Sequence, residues 1–169
     1  MFTLRVYHTN DDDPKKCTAR KLDRMGYAKL HTKIREIPPS MILLNPFSKK
    51  SLSPEDTLHA EKHGVLAVDC SWKTADQQFY ELSKTHISRA LPFVIAVNPV
   101  NFGKTLKLTT LEAFMAAVYI LGNRKQAEEL TLLYKWSPHF LTMNKNPLED
   151  YRTAKTSGDV IKRIHSYLA

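Results

Sequence analysis

The spacing of apolar residues changes along this chain, and the change divides it. Phe2, Leu4 and Val6 alternate with Thr3, Arg5 and Tyr7 at the two-residue period of a half-buried strand. Three short continuous apolar runs follow: Met41-Ile42-Leu43-Leu44, Val65-Leu66-Ala67-Val68 and Phe93-Val94-Ile95-Ala96-Val97. Each has strand length and read as a strand it is buried on both faces; Asn45-Pro46 stops the first and Asn98-Pro99 the third. Between them the pattern predicts a short amphipathic helix around Thr18 to Met25. A second helix opens at Ser53-Pro54-Glu55-Asp56, with a capping hydroxyl, proline at the first position and acids in the first turn, and stops at Gly64. A third begins near Lys73 and runs through Phe79 and Leu82.

From Thr109 onward the spacing is helical throughout. Thr109 and Glu112 stand three apart, as in a capping box, where the hydroxyl accepts from the backbone and the carboxylate reaches back. Leu111, Phe114, Met115, Val118, Tyr119 and Leu121 make the helix that follows apolar on most sides, as the centre of this half should be. Gly122-Asn123 ends it. Ala127, Leu130, Leu133 and Tyr134 mark a second helix, Ser137-Pro138 opens a third, Asn146-Pro147 a fourth, and a last one spans Ser157 to Leu168. The expectation is an α/β lobe over residues 1–90 and a mostly α-helical lobe over 91–169. A strand end, an irregular loop and a capped helix meet within residues 91–112. In open α/β sheets such junctions expose backbone amides and collect ligands, so the active cleft is expected at this seam.

Charge adds a partner to this picture. The 169 residues carry a formal charge of +8, which favours a polyanion such as nucleic acid. The positive charge is densest over residues 15–35, where Lys15, Lys16, Arg20, Lys21, Arg24, Lys29, Lys33 and Arg35 face a single acid, Asp23. Lysine and arginine neutralise phosphates without reading bases, although a solvated helix face looks the same in sequence. Two cysteines, Cys17 and Cys70, lie far apart without CxxC spacing, which argues against a disulfide framework or a cysteine-rich zinc site and for a reducing compartment. His59 and His63 lie one helical turn apart but lack a third ligand, so no metal is expected. Residues 1–8 lack a signal-peptide pattern and no apolar run spans a bilayer, which predicts a cytoplasmic protein without a membrane partner. Just past the run at residues 65–68 stand Asp69-Cys70-Ser71-Trp72. There a carboxylate serves as base, ribose ligand or helix cap, and an indole serves as cleft wall or core.

Six motifs in order resemble a known family: Asp13-Pro14-Lys15-Lys16-Cys17-Thr18, Leu44-Asn45-Pro46, Val68-Asp69-Cys70-Ser71-Trp72, Arg89-Ala90-Leu91-Pro92, Asn98-Pro99-Val100-Asn101-Phe102-Gly103 and Leu111-Glu112-Ala113. They look like the Tsr3 family of ribosomal RNA aminocarboxypropyltransferases, over nearly the whole chain. The resemblance implies an α/β, SPOUT-like, mostly parallel sheet with a deep carboxy-terminal trefoil knot, followed by an all-α lobe. It implies transfer of the 3-amino-3-carboxypropyl group of S-adenosylmethionine to N3 of an N1-methylpseudouridine or uridine in small-subunit rRNA, during ribosome biogenesis.

On that resemblance Leu44, Pro46, Leu91 and Pro92 form the adenine slot, Thr18 and the backbone at Val68 meet the ribose, and Trp72 with Ala75 hides the methyl group. Thr110 and neighbouring amides hold the methionine carboxylate. Asp69 is the first choice for accepting the uridine proton or for orienting donor and base, and Glu112 the second. Lys15, Lys16, Arg20, Lys21 and Arg24 are expected to dock rRNA phosphates. Phe102 stands where the family is expected to allow tyrosine, so no hydroxyl contact is expected from that position. The end at Ala169, without a long acidic tail, suggests a compact archaeal form, and a monomer is expected. The competing readings are a methyltransferase using the same donor and a non-catalytic, RNA-binding assembly factor.

Overall fold

The structure, a computed structural model, describes residues 1–10, 17–105 and 107–168. Five strands, β1 (Leu4–His8), β2 (Lys29–His31), β3 (Ile42–Leu44), β4 (Val65–Asp69) and β5 (Ile87–Arg89), form one sheet in the order β2-β1-β4-β3-β5. Every pairing is parallel. The strand period sorts side chains cleanly between the two faces. Leu4, Val6, Ile42, Leu44, Val65 and Ala67 enter one core cluster, while Tyr7, Met41, Leu43 and Leu66 enter another. Both faces are therefore covered, as an all-parallel sheet requires.

The first face packs on α1 (Thr18–Arg24), α2 (Thr57–His63) and α4 (Thr110–Ile120), the second on α3 (Ala75–Ser83). Gly64 ends α2 at a φ of 87° and passes straight into β4. A Cβ there would lie 2.7 Å from the carbonyl oxygen of Thr3, so the position needs glycine on both counts. After α4 the chain is mostly helical: α5 (Arg124–Leu130), α6 (Ser137–Met143), α7 (Lys145–Thr153) and α8 (Ser157–Ile164). The helix expected over Ser157 to Leu168 is α8 plus a single 3₁₀ turn, His165–Tyr167. As the apolar pattern predicts, α4 is central, with Leu111, Phe114, Met115, Ala116, Ala117, Val118 and Ile120 all fully buried.

The largest departure from the sequence pattern is the run at residues 93–97. It is buried at Val94, Ala96 and Val97, yet among the described residues it joins no strand of the sheet; an isolated antiparallel bridge links Ile95 and Thr105, and Ala96 exchanges backbone hydrogen bonds with Lys104 (2.9 Å) and Gly103 (2.8 Å). Side chains of the helical half satisfy much of the rest of its backbone. Asn144 accepts from the Ile95 amide at 2.7 Å and donates to the Ile95 carbonyl at 2.9 Å, Tyr151 Oη donates to the Phe93 carbonyl at 2.8 Å, and Glu112 accepts from the Val97 amide at 2.7 Å. Burial outside the sheet is possible because these polar groups found other partners.

Two strands lie where the pattern showed none. β2 sits within the basic segment, and β5 is a three-residue edge just after α3. β5 is tied down by Arg89, whose Nε lies 3.0 Å from the buried carboxylate of Asp56. His59 and His63 stack with ring centroids 4.5 Å apart, and His59 Nε2 bonds the Ser40 carbonyl at 2.6 Å, a helix-packing role for the pair. Among the described residues no helix is long and apolar enough to cross a membrane.

Candidate active site

Because the sheet is parallel, β3 and β4 deliver their carboxyl ends to the same side, and a cleft of about 220 Å³ opens there. Ala67, Val68 and Cys70 supply one side of its lining, and Leu44, Asn45 and Pro46, just past β3, supply the next. Asn45 shapes this turn by donating its own amide to the Arg89 carbonyl (2.9 Å) and accepting the Phe47 amide on Oδ1 (2.9 Å). Trp72, Ala75 and Phe79 form a third side, and Ala90 and Leu91 a fourth. The lining is closed by Leu108, Thr109, Thr110 and Ala113 around the start of α4.

Of the expected donor-site residues, Leu44, Pro46, Val68, Trp72, Ala75, Leu91 and Thr110 thus line one cleft. Pro92 is buried next to it and backs the wall. Trp72 is 66% exposed, so it stands at the mouth and is held by little core packing. Phe102 is not part of the lining and instead stacks on His139, with centroids 5.9 Å apart.

The start of α4 is heavily built. Thr109 Oγ1 accepts the Glu112 amide at 3.2 Å and Glu112 Oε1 accepts the Thr109 amide at 3.0 Å, completing the capping box. Glu112 has no solvent exposure and also accepts from the amide of Val97 and from Asn98 Nδ2, both at 2.7 Å. Four donors, counting the Thr109 hydroxyl at 3.2 Å, occupy its two oxygens, so it holds the frame and is closed to substrate. Thr18 is the first residue of α1, whose cap is Cys17, and its hydroxyl accepts the Leu111 amide at 3.2 Å, bridging the starts of α1 and α4. Among the described residues nothing accepts from the amide of Thr110, the first residue of α4, at the positive end of an 11-residue helix.

Asp69 ends β4 in register with His8, the last residue of β1. Its Oδ2 accepts from the Cys17 thiol at 3.2 Å and lies 3.7 Å from His8 Nε2, which in turn lies 3.3 Å from Cys17 Sγ. Asp69 and Thr18 fall outside the cleft lining proper and adjoin it through their neighbours Val68, Cys70 and the α4 start. Three ligand-type atoms, one each from His8, Cys17 and Asp69, lie within 4.8 Å of one another, and the hydrogen bonds around them fix where their protons sit. The Asn10 backbone amide donates to His8 Nδ1 at 2.8 Å, so the ring's single proton is on Nε2, the nitrogen turned towards Cys17 and Asp69. Burial, then the nearby Asp69 charge, push the Cys17 thiol up to about 11, which keeps its proton on sulfur. Two hydrogens already occupy the space between the three atoms.

Of the expected phosphate-docking residues, Lys15 and Lys16 lie outside the described residues. Arg20 Nη2 donates to Asn10 Oδ1 at 2.7 Å. Lys21 Nζ donates to the Leu133 carbonyl at 2.5 Å and sits 4.0 Å from the centre of the Tyr134 ring. Arg24 is exposed at the end of α1. Leu108 has no place among the expected site residues and Ala113 enters them only through the Leu111-Glu112-Ala113 motif, although both had a signal: Leu108 precedes the helix cap, and Ala113 lies one turn beyond Thr109 on the same face. His8 had none, since only the pairing of β1 with β4 brings it to Asp69.

A family model described as "Ribosome biogenesis protein, C-terminal" matches residues 42–168. Another, described as a possible Fer4-like domain in RNase L inhibitor, matches residues 3–35. Cys17 is the one cysteine in that span, and the whole chain has two, so the four thiolates of a ferredoxin-type cluster are not there. The chain is 45% identical over 168 residues to the 16S rRNA aminocarboxypropyltransferase of Methanococcoides burtonii, covering 99% of this chain and 95% of that one. It is 42% identical over 168 residues to the enzyme of the same name from Methanocaldococcus jannaschii, covering 99% and 97%. Its structure superposes on that of the SAM-dependent rRNA:acp-transferase Tsr3 from Vulcanisaeta distributa with a TM-score of 0.86 and 35% identity, over 98% of this chain and 97% of that one. Likeness of this extent in sequence and in structure means that the chain belongs to the Tsr3 family.

Proposed function

We propose that this protein transfers the 3-amino-3-carboxypropyl group of S-adenosylmethionine to N3 of a uridine-type base, an N1-methylpseudouridine or uridine, in small-subunit rRNA. The observation that carries the reading is the composition of the cleft: an apolar slot at the carboxyl ends of β3 and β4 that runs into the start of α4, with a carboxylate at its edge. The named activity of the relatives supports it.

The donor's sulfonium has three carbon neighbours, and displacement occurs at whichever one meets the nucleophile in line. Leu44, Pro46 and Leu91, backed by Pro92, hold the adenine; Thr18 and the Val68 backbone take the ribose. Trp72 and Ala75 cover the methyl group and so keep it from the nucleophile. The Thr110 amide, at the positive end of α4, takes the methionine carboxylate. The N3 electron pair attacks the side-chain carbon, the bond from that carbon to sulfur breaks, and methylthioadenosine leaves with its electrons. Asp69 accepts the N3 proton and orients base and donor.

Lys15, Lys16, Arg20, Lys21 and Arg24 dock rRNA phosphates. The chain divides into an α/β lobe over residues 1–90 with a basic RNA-facing segment and a mostly α-helical lobe over 91–169, with a deep carboxy-terminal trefoil knot of SPOUT type, in a monomer that works in the cytoplasm. The all-parallel sheet supports the SPOUT-like part of this reading.

The reaction is tested by incubating protein, rRNA substrate and S-adenosylmethionine labelled either in the carboxyl carbon or in the methyl group. Carboxyl label should enter the RNA, with methylthioadenosine as by-product. Label arriving only from the methyl group would instead identify a methyltransferase, and absence of saturable donor binding in calorimetry would leave a pure RNA-binding factor.

A further inference from the structure

We propose that His8 and Cys17 are positioning residues for Asp69: a chain of two hydrogen-bond donors that holds its carboxylate in one orientation at the edge of the cleft. The inference deepens the proposed transfer reaction and rests on it.

The direction of each hydrogen bond follows from the geometry. The Asn10 amide, which can only donate, meets His8 Nδ1 at 2.8 Å and fixes the ring proton on Nε2. That N–H meets Cys17 Sγ at 3.3 Å, and the thiol, with its sulfur lone pair engaged, donates its own hydrogen to Asp69 Oδ2 at 3.2 Å. The chain therefore runs one way, from the Asn10 backbone just past β1 through imidazole and thiol to the carboxylate.

It is also well enclosed. His8 is 0% exposed, Cys17 6% and the Asp69 side chain 13%. The end of a buried strand would more cheaply carry an apolar residue than a histidine that must be satisfied from both sides. Moreover, Cys17 directly precedes Thr18, whose hydroxyl holds the Leu111 amide. One short segment at the start of α1 thus sets both Asp69 and the amino end of α4, the two features on opposite ends of the donor's amino-acid arm. A carboxylate free to turn could not help choose one of three carbons on sulfur; one with a fixed oxygen can.

The hydrogen bond itself is read in the ligand-free protein by infrared spectroscopy of the thiol S–H stretch, in a window free of other protein bands. The Cys17 band is assigned by its loss in Cys17→Ser. It should move to higher frequency in Asp69→Asn, where an amide oxygen replaces a stronger acceptor. The functional arm compares donor affinity and transfer rate. Cys17→Ser, which keeps a donor, should stay within about twofold of wild type, and Cys17→Ala should lose roughly five- to tenfold. His8→Phe should lose about as much as Cys17→Ala, and combining the two should add little. In an Asp69→Asn background Cys17→Ala should cost nothing further, because its effect passes through Asp69.

If Cys17 only filled space, alanine would be tolerated at least as well as serine, since serine buries a more polar group there. That order, a Cys17 band unmoved by Asp69→Asn, or losses that multiply in the Cys17→Ala/Asp69→Asn double variant would each overturn the proposal. The infrared arm needs neither donor nor RNA. A wild type that transfers no aminocarboxypropyl group would therefore overturn the functional reading while the thiol band still decided this one.

Discussion

Glu112 Oε2 accepts the backbone amide of Val97 at 2.7 Å, and through this contact the central helix α4 holds the buried 93–97 segment against itself. Oε1 of the same carboxylate takes Asn98 Nδ2 and the Thr109 amide, so one side chain fixes both ends of the loop that borders the cleft. Glu112→Gln exchanges one accepting oxygen for an NH₂ group that must face an amide donor. The expected cost is about 2–4 kcal/mol in urea unfolding, the range for leaving buried donors unpaired beside a lost charge. A loss below about 0.5 kcal/mol, the level of a surface substitution, would show that the capping box carries no such weight.

Trp72 offers the opposite case. At 66% exposure it contributes little to the core, yet it lines the mouth of the cleft beside Ala75. Trp72→Ala should leave the unfolding free energy within about 0.5 kcal/mol of wild type while lowering affinity for S-adenosylmethionine by about tenfold or more. Calorimetry on the folded variant decides it: unchanged affinity removes Trp72 from the donor site.

The basic residues of α1 separate in the same way. Lys21 Nζ is spent in part on the Leu133 carbonyl and the Tyr134 ring, whereas Arg24 is exposed in the last turn. Lys21→Met should cost about 1–2 kcal/mol of stability from the lost hydrogen bond and cation–π contact, besides weakening RNA binding. Arg24→Gln should not change stability, and should weaken RNA binding with a salt dependence shallower by about one charge. Filter binding over a salt series checks both. Replacing Lys15 and Lys16 together should act like Arg24→Gln, with twice the change in slope; an unchanged slope removes them from the interface.

How much of this could be read from the sequence depended on whether a residue's partner was near in the chain. The capping box of Thr109 and Glu112, the Gly64 stop and the apolar α4 were legible because their physics is local. The cleft was legible as a place, from the strand ends at Leu44 and Val68 and the helix start at Thr109. The role of residues 93–97 was misread because a buried backbone needs partners of any kind, and β-branched residues mark burial rather than a ladder. β2 and β5, three residues each, are strands only because β1 and β3 lie beside them. The path from His8 to Asp69 was hidden for the same reason, spanning 61 positions that only the β1 to β4 register closes.

Acid should weaken the fold before it protonates the carboxylates. His86 is buried, its Nδ1 accepts the Met41 amide at 3.1 Å, and burial lowers its pKa from the ordinary 6.5. His31 is lowered too, by burial and then by the Arg5 and Lys29 charges. The unfolded chain takes up these protons near pH 6.5 and the folded chain only at lower pH. The stability from the neutral rings is therefore complete above about pH 6.5 and shrinks as the pH falls below it, levelling off under the folded pKa values. Thermal unfolding between about pH 7.5 and 5.5 should show the midpoint falling. His86→Asn keeps an acceptor for Met41 without titrating, so its fall should be shallower; parallel curves for the two proteins would refute the assignment.

Asn144 stands in for the strand that the 93–97 segment lacks. Its side-chain amide accepts from the Ile95 amide at 2.7 Å and donates to the Ile95 carbonyl at 2.9 Å, the two bonds that a neighbouring strand would have made, while also reaching the Phe140 carbonyl at 2.9 Å. The residue is 0% exposed, so water cannot replace it. Asn144→Ala strands the Ile95 amide and carbonyl, while the Phe140 carbonyl keeps the Asn144 backbone amide at 3.1 Å, and should cost about 3 kcal/mol. Asn144→Asp keeps the acceptor for Ile95 but turns the two donor bonds into a carboxylate facing carbonyl oxygens, and should be no better tolerated. Because the segment leads directly to Glu112 through Val97, donor affinity should fall in both variants even below their melting temperatures, and hydrogen exchange at Ile95 and Val97 should quicken together. Exchange that quickened at Ile95 alone would mean that Glu112 holds Val97 without help from Asn144.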